Sequence, residues 1–236
     1  VSVIDYESYQ QLEDRVCSVA GGDDPGGFDR MLLALSVLRD TCASAGNPFP
    51  SEACEPGELK VAFYSFLQDL AEDLIGLKRK HVDEGSGIRF HTSNLDLVVE
   101  AISDLPLFAD AVFASDETGD ARRFARIAVL NFWRSKDAII PSDLVLATAL
   151  ANLRWLLARA LAYSRARQVH RRSPCPQDLV DGWVTTHMLL RNKQVLKMLT
   201  RHNETIRTLF AHRLPELVAQ RERLVDVDSR TEFYLF

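Results

Sequence analysis

Residues 154–172, RWLLARALAYSRARQVHRR, combine six arginines and one histidine with an apolar helical pattern. Guanidinium groups bind phosphate or carboxylate in two places, so this stretch could contact an anionic partner. The alternative is a helix whose other side is core. At about 100° per residue, Arg154 and Arg165 lie on the leucine-bearing face, whereas Arg159 points about 140° away from Arg154. Because the arginines form no single stripe, we expect the helix body to be core, with Arg154 partly buried beside a carboxylate.

The end of this stretch is the part that we expect to reach an anion. It leaves the helix for a loop, and it holds five groups that are cationic or can become so: Arg165, Arg167, His170, Arg171 and Arg172. A second basic group recurs at intervals of four, which places its members on one helical face: Lys193, Lys197 and Arg201. Both groups are predicted contact sites for nucleic acid or another anion. The alternative for both is a solvated charged surface.

Two arginine–histidine pairs share the spacing R-x-x-x-x-H, namely Arg165–His170 and Arg207–His212. This spacing resembles the signature of the HEPN family, helical ribonucleases in which arginine and histidine act on the RNA phosphodiester. The resemblance implies an all-α, commonly dimeric protein and a metal-independent ribonuclease. Its better catalytic pair is Arg207 and His212, because Thr208 supplies the polar residue that usually follows the arginine. Residues five apart on an α-helix point about 140° apart, so shared chemistry would need a helix end or a partner chain.

Other catalytic and metal-binding motifs are absent from the sequence. The six histidines form no pair four residues apart and no cluster with cysteine, so no zinc site is predicted. No glycine-rich phosphate loop occurs, and no cofactor is predicted. The four cysteines show no paired spacing, which favours reduced thiols, with a Cys42–Cys54 bridge open if the protein is exported. No apolar run reaches the length of a membrane span.

The formal net charge of −5 conceals two halves of opposite sign. Residues 1–120 carry a net charge of −15, and residues 121–236 carry +10. Such asymmetry indicates an anionic partner, or two halves that face and neutralise each other. The C-terminal TEFYLF is strongly apolar, so we expect it to dock on its own core or in a partner's groove.

Helical periodicity dominates the sequence and strand alternation is nearly absent. This pattern predicts an all-α, multi-helix bundle of about eight or nine helices, including helices over 58–80 and 177–202. A polar linker at 81–93 is expected to separate an acidic N-terminal sub-domain, residues 1–80, from an Arg-rich domain, residues 94–236.

These observations predict a non-catalytic helical interaction or regulatory protein that engages a macromolecular partner, with a protein as the first choice. The alternative is an RNA-binding protein or a metal-independent HEPN-like ribonuclease. No membrane association is expected, homo-oligomers stay open, and the expected localisation is cytoplasmic. Because the chain does not begin with Met, we expect it to be processed, trimmed or cut from a longer protein. An RNA binder should present a contiguous positive surface, and an interaction protein should present an exposed apolar patch.

Overall fold

The computed structural model describes residues 10, 11, 14, 56–83, 92–107 and 144–213. Five α-helices occur in the three longer ranges: α1 (Pro56–Asp83), α2 (Thr92–Asp104), α3 (Leu144–Gln168), α4 (Pro176–Leu190) and α5 (Lys193–Leu199). A 3₁₀ turn, Leu105–Leu107, follows α2, and the chain after α5 continues through a 3₁₀ turn, a short α-helical segment and a π-helix: Thr200–His202, Asn203–Ile206 and Arg207–Arg213. Because the described ranges contain helices and no strand, the all-α prediction is confirmed. The total of eight or nine helices stays a prediction.

Helix α3 lies at the centre of the described structure. Its residues 151–162 are buried without interruption, and a run of that length covers every side of a helix. A helix that is enclosed on every side belongs to the interior, and α2, α4 and the π-helix pack around this one. The buried polar side chain of Asn152 donates a hydrogen bond to the Phe210 carbonyl at 2.9 Å. That bond fixes α3 to the π-helix.

Helix α1 forms where the sequence predicted the helix over 58–80, and it extends a few residues beyond both ends. Its core-facing residues recur at intervals of three and four: Phe63, Phe66, Leu67, Leu70 and Leu74. The rings of Phe63 and Phe66 meet Phe210 edge to face, with centroids 5.3 and 5.6 Å apart. One hydrophobic core therefore continues from α1 to the π-helix. The division into sub-domains at 81–93 stays a prediction.

The single helix that the sequence predicted over 177–202 is interrupted at Asn192. The Asn192 side chain accepts hydrogen bonds from the backbone N–H groups of Gln194, at 2.9 Å, and Val195, at 3.4 Å. Asparagine is among the preferred N-cap residues because its side chain satisfies these otherwise unpaired donors. It therefore caps the start of α5, which follows α4 as a separate helix.

The tightest helix contact joins α3 to α4. Gly182 of α4 lies so close to Ala158 of α3 that a Cβ atom at position 182 would overlap the Ala158 carbonyl oxygen. Beside this point the rings of Trp155 and Trp183 meet with centroids 6.1 Å apart. The absent side chain at position 182 is what allows the two backbones to approach.

We predict that Gly182→Ala lowers the free energy of unfolding by about 1–3 kcal/mol, because a backbone carbonyl cannot move aside as a side chain can. The matched control is Gly76→Ala in α1, where an added Cβ meets nothing within 4 Å. That control should raise stability by about 0.5–1 kcal/mol through helix propensity. Urea denaturation followed by circular dichroism measures both, and equal stability of the Gly182→Ala and natural chains would contradict the close contact.

Candidate functional site

The Arg-rich end of α3 closes in a defined helix cap. His170, two residues after the last residue of α3, adopts a left-handed conformation with φ of 57°. The N–H of Arg171 bonds to the carbonyl of Ala166 at 2.8 Å, and the N–H of His170 bonds to that of Arg167 at 2.9 Å. This pair of bonds defines a Schellman motif. Glycine is the usual residue at its left-handed position, which His170 occupies here. The loop that carries the predicted anion site is therefore fixed at its start.

Three of the five predicted anion-contact residues at 165–172 form ion pairs inside the protein. Arg165 pairs with Asp181 at 2.6 Å, Arg167 with Asp104 at 3.0 Å, and Arg171 with Asp178 at 2.7 Å. These pairs connect the end of α3 to α2 and α4. Exposed His170 and Arg172 have no ion pair among the described residues. Fewer side chains of this group could therefore contact an external anion than the number of its basic residues indicates.

Asp178 is the most enclosed carboxylate of these pairs. Its two oxygens accept hydrogen bonds from Arg171 at 3.0 and 2.7 Å, and one also accepts the backbone N–H of Cys175 at 2.8 Å. Burial on its own would raise the pKa of Asp178, but the hydrogen bonds from Arg171 and Cys175 outweigh it, so the pKa lies below the ordinary value of 3.8. The hydrogen bond to Asp178 in turn raises the pKa of Arg171. This carboxylate therefore stays ionised while it caps α4.

Arg154 is buried, at 8% exposed, as the sequence predicted. Its guanidinium lies 5.6 Å from the centre of the Trp183 ring and 3.3 Å from Nδ1 of His187. Arg159 is more deeply buried, at 1% exposed, although the helical wheel placed it away from the leucine face. Both arginines are therefore part of the interior of the protein.

A cleft between α1 and α5 contains two of the three residues of the second basic group. We call it the α1–α5 cleft; it has a volume of about 790 Å³ and is lined by Asp73, Gly76, Leu77, Lys80, Gln194, Lys197, Met198, Thr200 and Arg201. Lys197 and Arg201 share one wall, and Lys80 of α1 adds a third cation. Lys193 is exposed and is not among the lining residues.

Asp73 is the one acidic residue among those that line the cleft, and it has a partner beside the basic wall. One of its carboxylate oxygens lies 2.9 Å from Nε2 of His202. The His202 ring in turn packs edge to face against Phe66, with centroids 5.9 Å apart. The cleft thus holds three cationic side chains and one carboxylate that is already hydrogen-bonded.

The HEPN-like pair lies at the C-terminal end of the described residues. Arg207 forms an ion pair with Glu204 at 2.7 Å. Residues 207–213 form a π-helix, in which backbone hydrogen bonds join positions five apart. The backbone therefore places positions 207 and 212 one turn apart. The side chain of His212 lies outside the described residues.

Sequence reasoning did not predict the acceptors of the arginines or the α1 wall of the cleft. Lys80 follows Asp73, Gly76 and Leu77 at spacings that place all four on one helical face. That regularity could have identified a shared face. It could not have identified the helix that this face meets, because that depends on how α1 and α5 pack.

We predict that Asp178→Asn destabilises the fold at neutral pH and removes part of its acid sensitivity. Because the pKa of Asp178 is lowered in the folded protein, its stabilising contribution is complete above the ordinary pKa of 3.8 and is lost as pH falls through the lower folded pKa. As the pH is lowered below about 4, the free energy of unfolding of the variant should therefore fall less steeply than that of the natural chain. Urea denaturation at a series of pH values measures this.

The control is Asp69→Asn, a change at an exposed carboxylate of α1. It should leave stability at pH 7 within about 0.5 kcal/mol of the natural chain. Parallel stability–pH curves for the natural chain and Asp178→Asn would contradict the role assigned to Asp178.

Comparison with known proteins assigns this chain to no family. No family model matches the chain, and neither curated proteins nor solved structures show a significant similarity to it. Among the described residues, no helix is long and apolar enough to cross a membrane. The same residues contain no group of three or more His, Cys, Asp or Glu side chains arranged to hold a metal ion. A function for this chain has to be inferred from its own surfaces.

Proposed function

We propose that this chain is a non-catalytic helical interaction protein whose partner is another protein, bound through the outer face of α4. Three apolar side chains recur there at intervals of four, and we call them the α4 stripe: Val180, Val184 and Met188, which are 40, 53 and 53% exposed. Residues at this spacing line up on one side of a helix. Aligned apolar side chains on one helix face are the arrangement by which helices recognise apolar grooves or other helices. This alignment is the observation that carries the proposal.

The helix that presents the α4 stripe is held in place from its other side. The face of α4 that packs on the core includes Gly182, Trp183 and Thr186. The Thr186 hydroxyl donates to backbone carbonyls within α4. Next to the stripe, Asp181 is already engaged, since it pairs with Arg165 and accepts a hydrogen bond from Gln177 at 2.7 Å. A preformed apolar strip with polar neighbours binds at a low ordering cost.

The test places a photo-crosslinking amino acid at position 184, or at position 61 as the control. Val61 is also an exposed valine, 68% accessible, but it lies on α1. We expect a discrete crosslinked product from position 184 alone, and its loss when Met188→Glu is added. No product, or equal products from both positions, would contradict the proposal. A product of twice the chain mass would identify a second copy as the partner.

Once a partner is in hand, we predict that Val184→Glu weakens its binding at least about tenfold, because a carboxylate would be buried against an apolar surface. The same change should alter the free energy of unfolding by no more than about 0.5 kcal/mol, since Val184 is half exposed. Titration calorimetry and urea denaturation measure the two effects. If Val184→Glu lowered the free energy of unfolding by as much as it lowers the free energy of binding, that result would contradict the surface role of Val184.

The second candidate function is action on RNA, and the π-helix is the observation that favours it. A π-helix reduces the angular separation that an α-helix would impose between positions 207 and 212, and π-helical turns are frequent at functional sites. Exposed Lys193, Lys197 and Arg201 follow one another before this segment and could contact phosphates. This candidate is a metal-independent, HEPN-like ribonuclease or an RNA binder without catalysis.

We predict for this candidate that His212→Ala slows cleavage of labelled single-stranded RNA by about 100-fold or more in the presence of EDTA, the effect of removing a general acid or base. The control is His170→Gly, which removes the other motif histidine and suits its left-handed conformation. Fluorescence anisotropy at two salt concentrations measures binding separately. Salt-dependent binding without cleavage would leave an RNA binder, and no binding at low salt would contradict both forms.

A further inference from the structure

We propose that the α1–α5 cleft binds a small phosphorylated ligand with a planar or apolar body, of the kind represented by a nucleoside diphosphate. This site is separate from the α4 stripe, so the inference does not depend on the protein-partner proposal. The cleft volume of about 790 Å³ lies within the range of small-molecule sites, about 300–1,000 Å³. Its lining combines three cationic side chains with apolar ones.

The positive charge of the cleft comes from two separate parts of the chain. Lys80 belongs to α1, whereas Lys197 and Arg201 belong to α5 and the turn after it. Neither Lys197 nor Arg201 forms an ion pair among the described residues, in contrast to the paired arginines at the end of α3. Cations that share a concave surface repel one another and concentrate a field that attracts an anion. A phosphate group carries the multiple charge and the oxygen atoms that lysine and arginine bind.

The carboxylate of the cleft does not cancel this attraction. Asp73 is hydrogen-bonded to Nε2 of His202 at 2.9 Å, and it is one carboxylate against three cationic side chains in the lining. It also lies at the cleft as a negative group that an extended polyanion would have to pass. A bounded site of this size suits one phosphorylated molecule better than a continuous nucleic-acid backbone, which needs a positive track.

Three lining residues provide a surface for the rest of the ligand. Leu77 and Met198 contribute apolar side chains, and Gly76 contributes backbone with open space above it. Such a surface can cover a planar or apolar group. We therefore expect the body of the ligand to add affinity to that of its phosphates.

The experiment titrates the full chain with ADP, inorganic pyrophosphate, adenosine and a single-stranded RNA by calorimetry in EDTA buffer. We expect one ADP site, weaker binding of pyrophosphate, and binding of adenosine at least about 100-fold weaker than that of ADP. Lys197→Gln and Arg201→Gln should each raise the Kd for ADP about tenfold or more, in the range for loss of a charge-assisted contact. The matched control Lys193→Gln removes an exposed lysine of α5 that does not line the cleft, and it should change the Kd less than about twofold.

A second variant tests the location without changing any charge. Gly76→Phe should fill the cleft and abolish ADP binding, while the circular dichroism spectrum and the urea midpoint report whether the fold is kept. Val184→Glu should leave ADP binding unchanged, so failure of this inference is distinguishable from failure of the protein-partner proposal. The inference is overturned by no heat with ADP or pyrophosphate at millimolar concentration, or by equal effects of Lys193→Gln and Lys197→Gln. Tight RNA binding that ADP does not displace would overturn it in favour of the RNA candidate.

Discussion

The burial of residues 151–162 in α3 is the constraint on which the other described helices depend. Because residues 151–162 are enclosed on every side, each neighbouring helix has to contribute apolar surface to the same central element. The interior also has to accommodate Arg154 and Arg159, so arginine is part of the core as well as of the surface. Surfaces that can meet a partner are consequently found on the outer helices. Both proposed sites, the α4 stripe and the α1–α5 cleft, lie there.

The arginine surplus of the second half of the chain serves the fold at the end of α3. Arg165, Arg167 and Arg171 each meet a carboxylate, and those carboxylates belong to α2 and α4. The pair between Arg167 and Asp104 joins the basic half to the acidic half, which is one of the two explanations that the charge asymmetry allowed. The pairs to Asp104 and Asp181 are partly exposed and contribute little stability individually, so their effect is mainly to select one arrangement of the helices.

The helical character and the core of this protein were accessible from sequence, because both follow from apolar spacing along single helices. The helix over 58–80 and the burial of Arg154 were predicted on that basis. The interruption at Asn192 was missed, since asparagine is compatible with both a helix interior and a cap, and hydrogen-bond geometry decides between them. The cleft was not predicted. Lys197 and Arg201 were named with Lys193 as one basic helical face, and the contribution of Lys80 required knowledge of which helices meet. The regions beyond the described residues, including the Cys42–Cys54 alternative and the TEFYLF segment, keep their sequence predictions.

The enclosure of α3 also has a consequence for how the protein moves. Backbone amides exchange with solvent through local openings wherever an element can leave the structure on its own. The outer helices α4 and α5 can open locally, because one side of each already faces solvent. The buried part of α3 becomes accessible only after the surrounding helices have separated. The amides of residues 151–162 should therefore be the slowest to exchange among the described residues, and their rate would report global unfolding. The surfaces proposed for binding would then be the parts that fluctuate, around a central helix that does not.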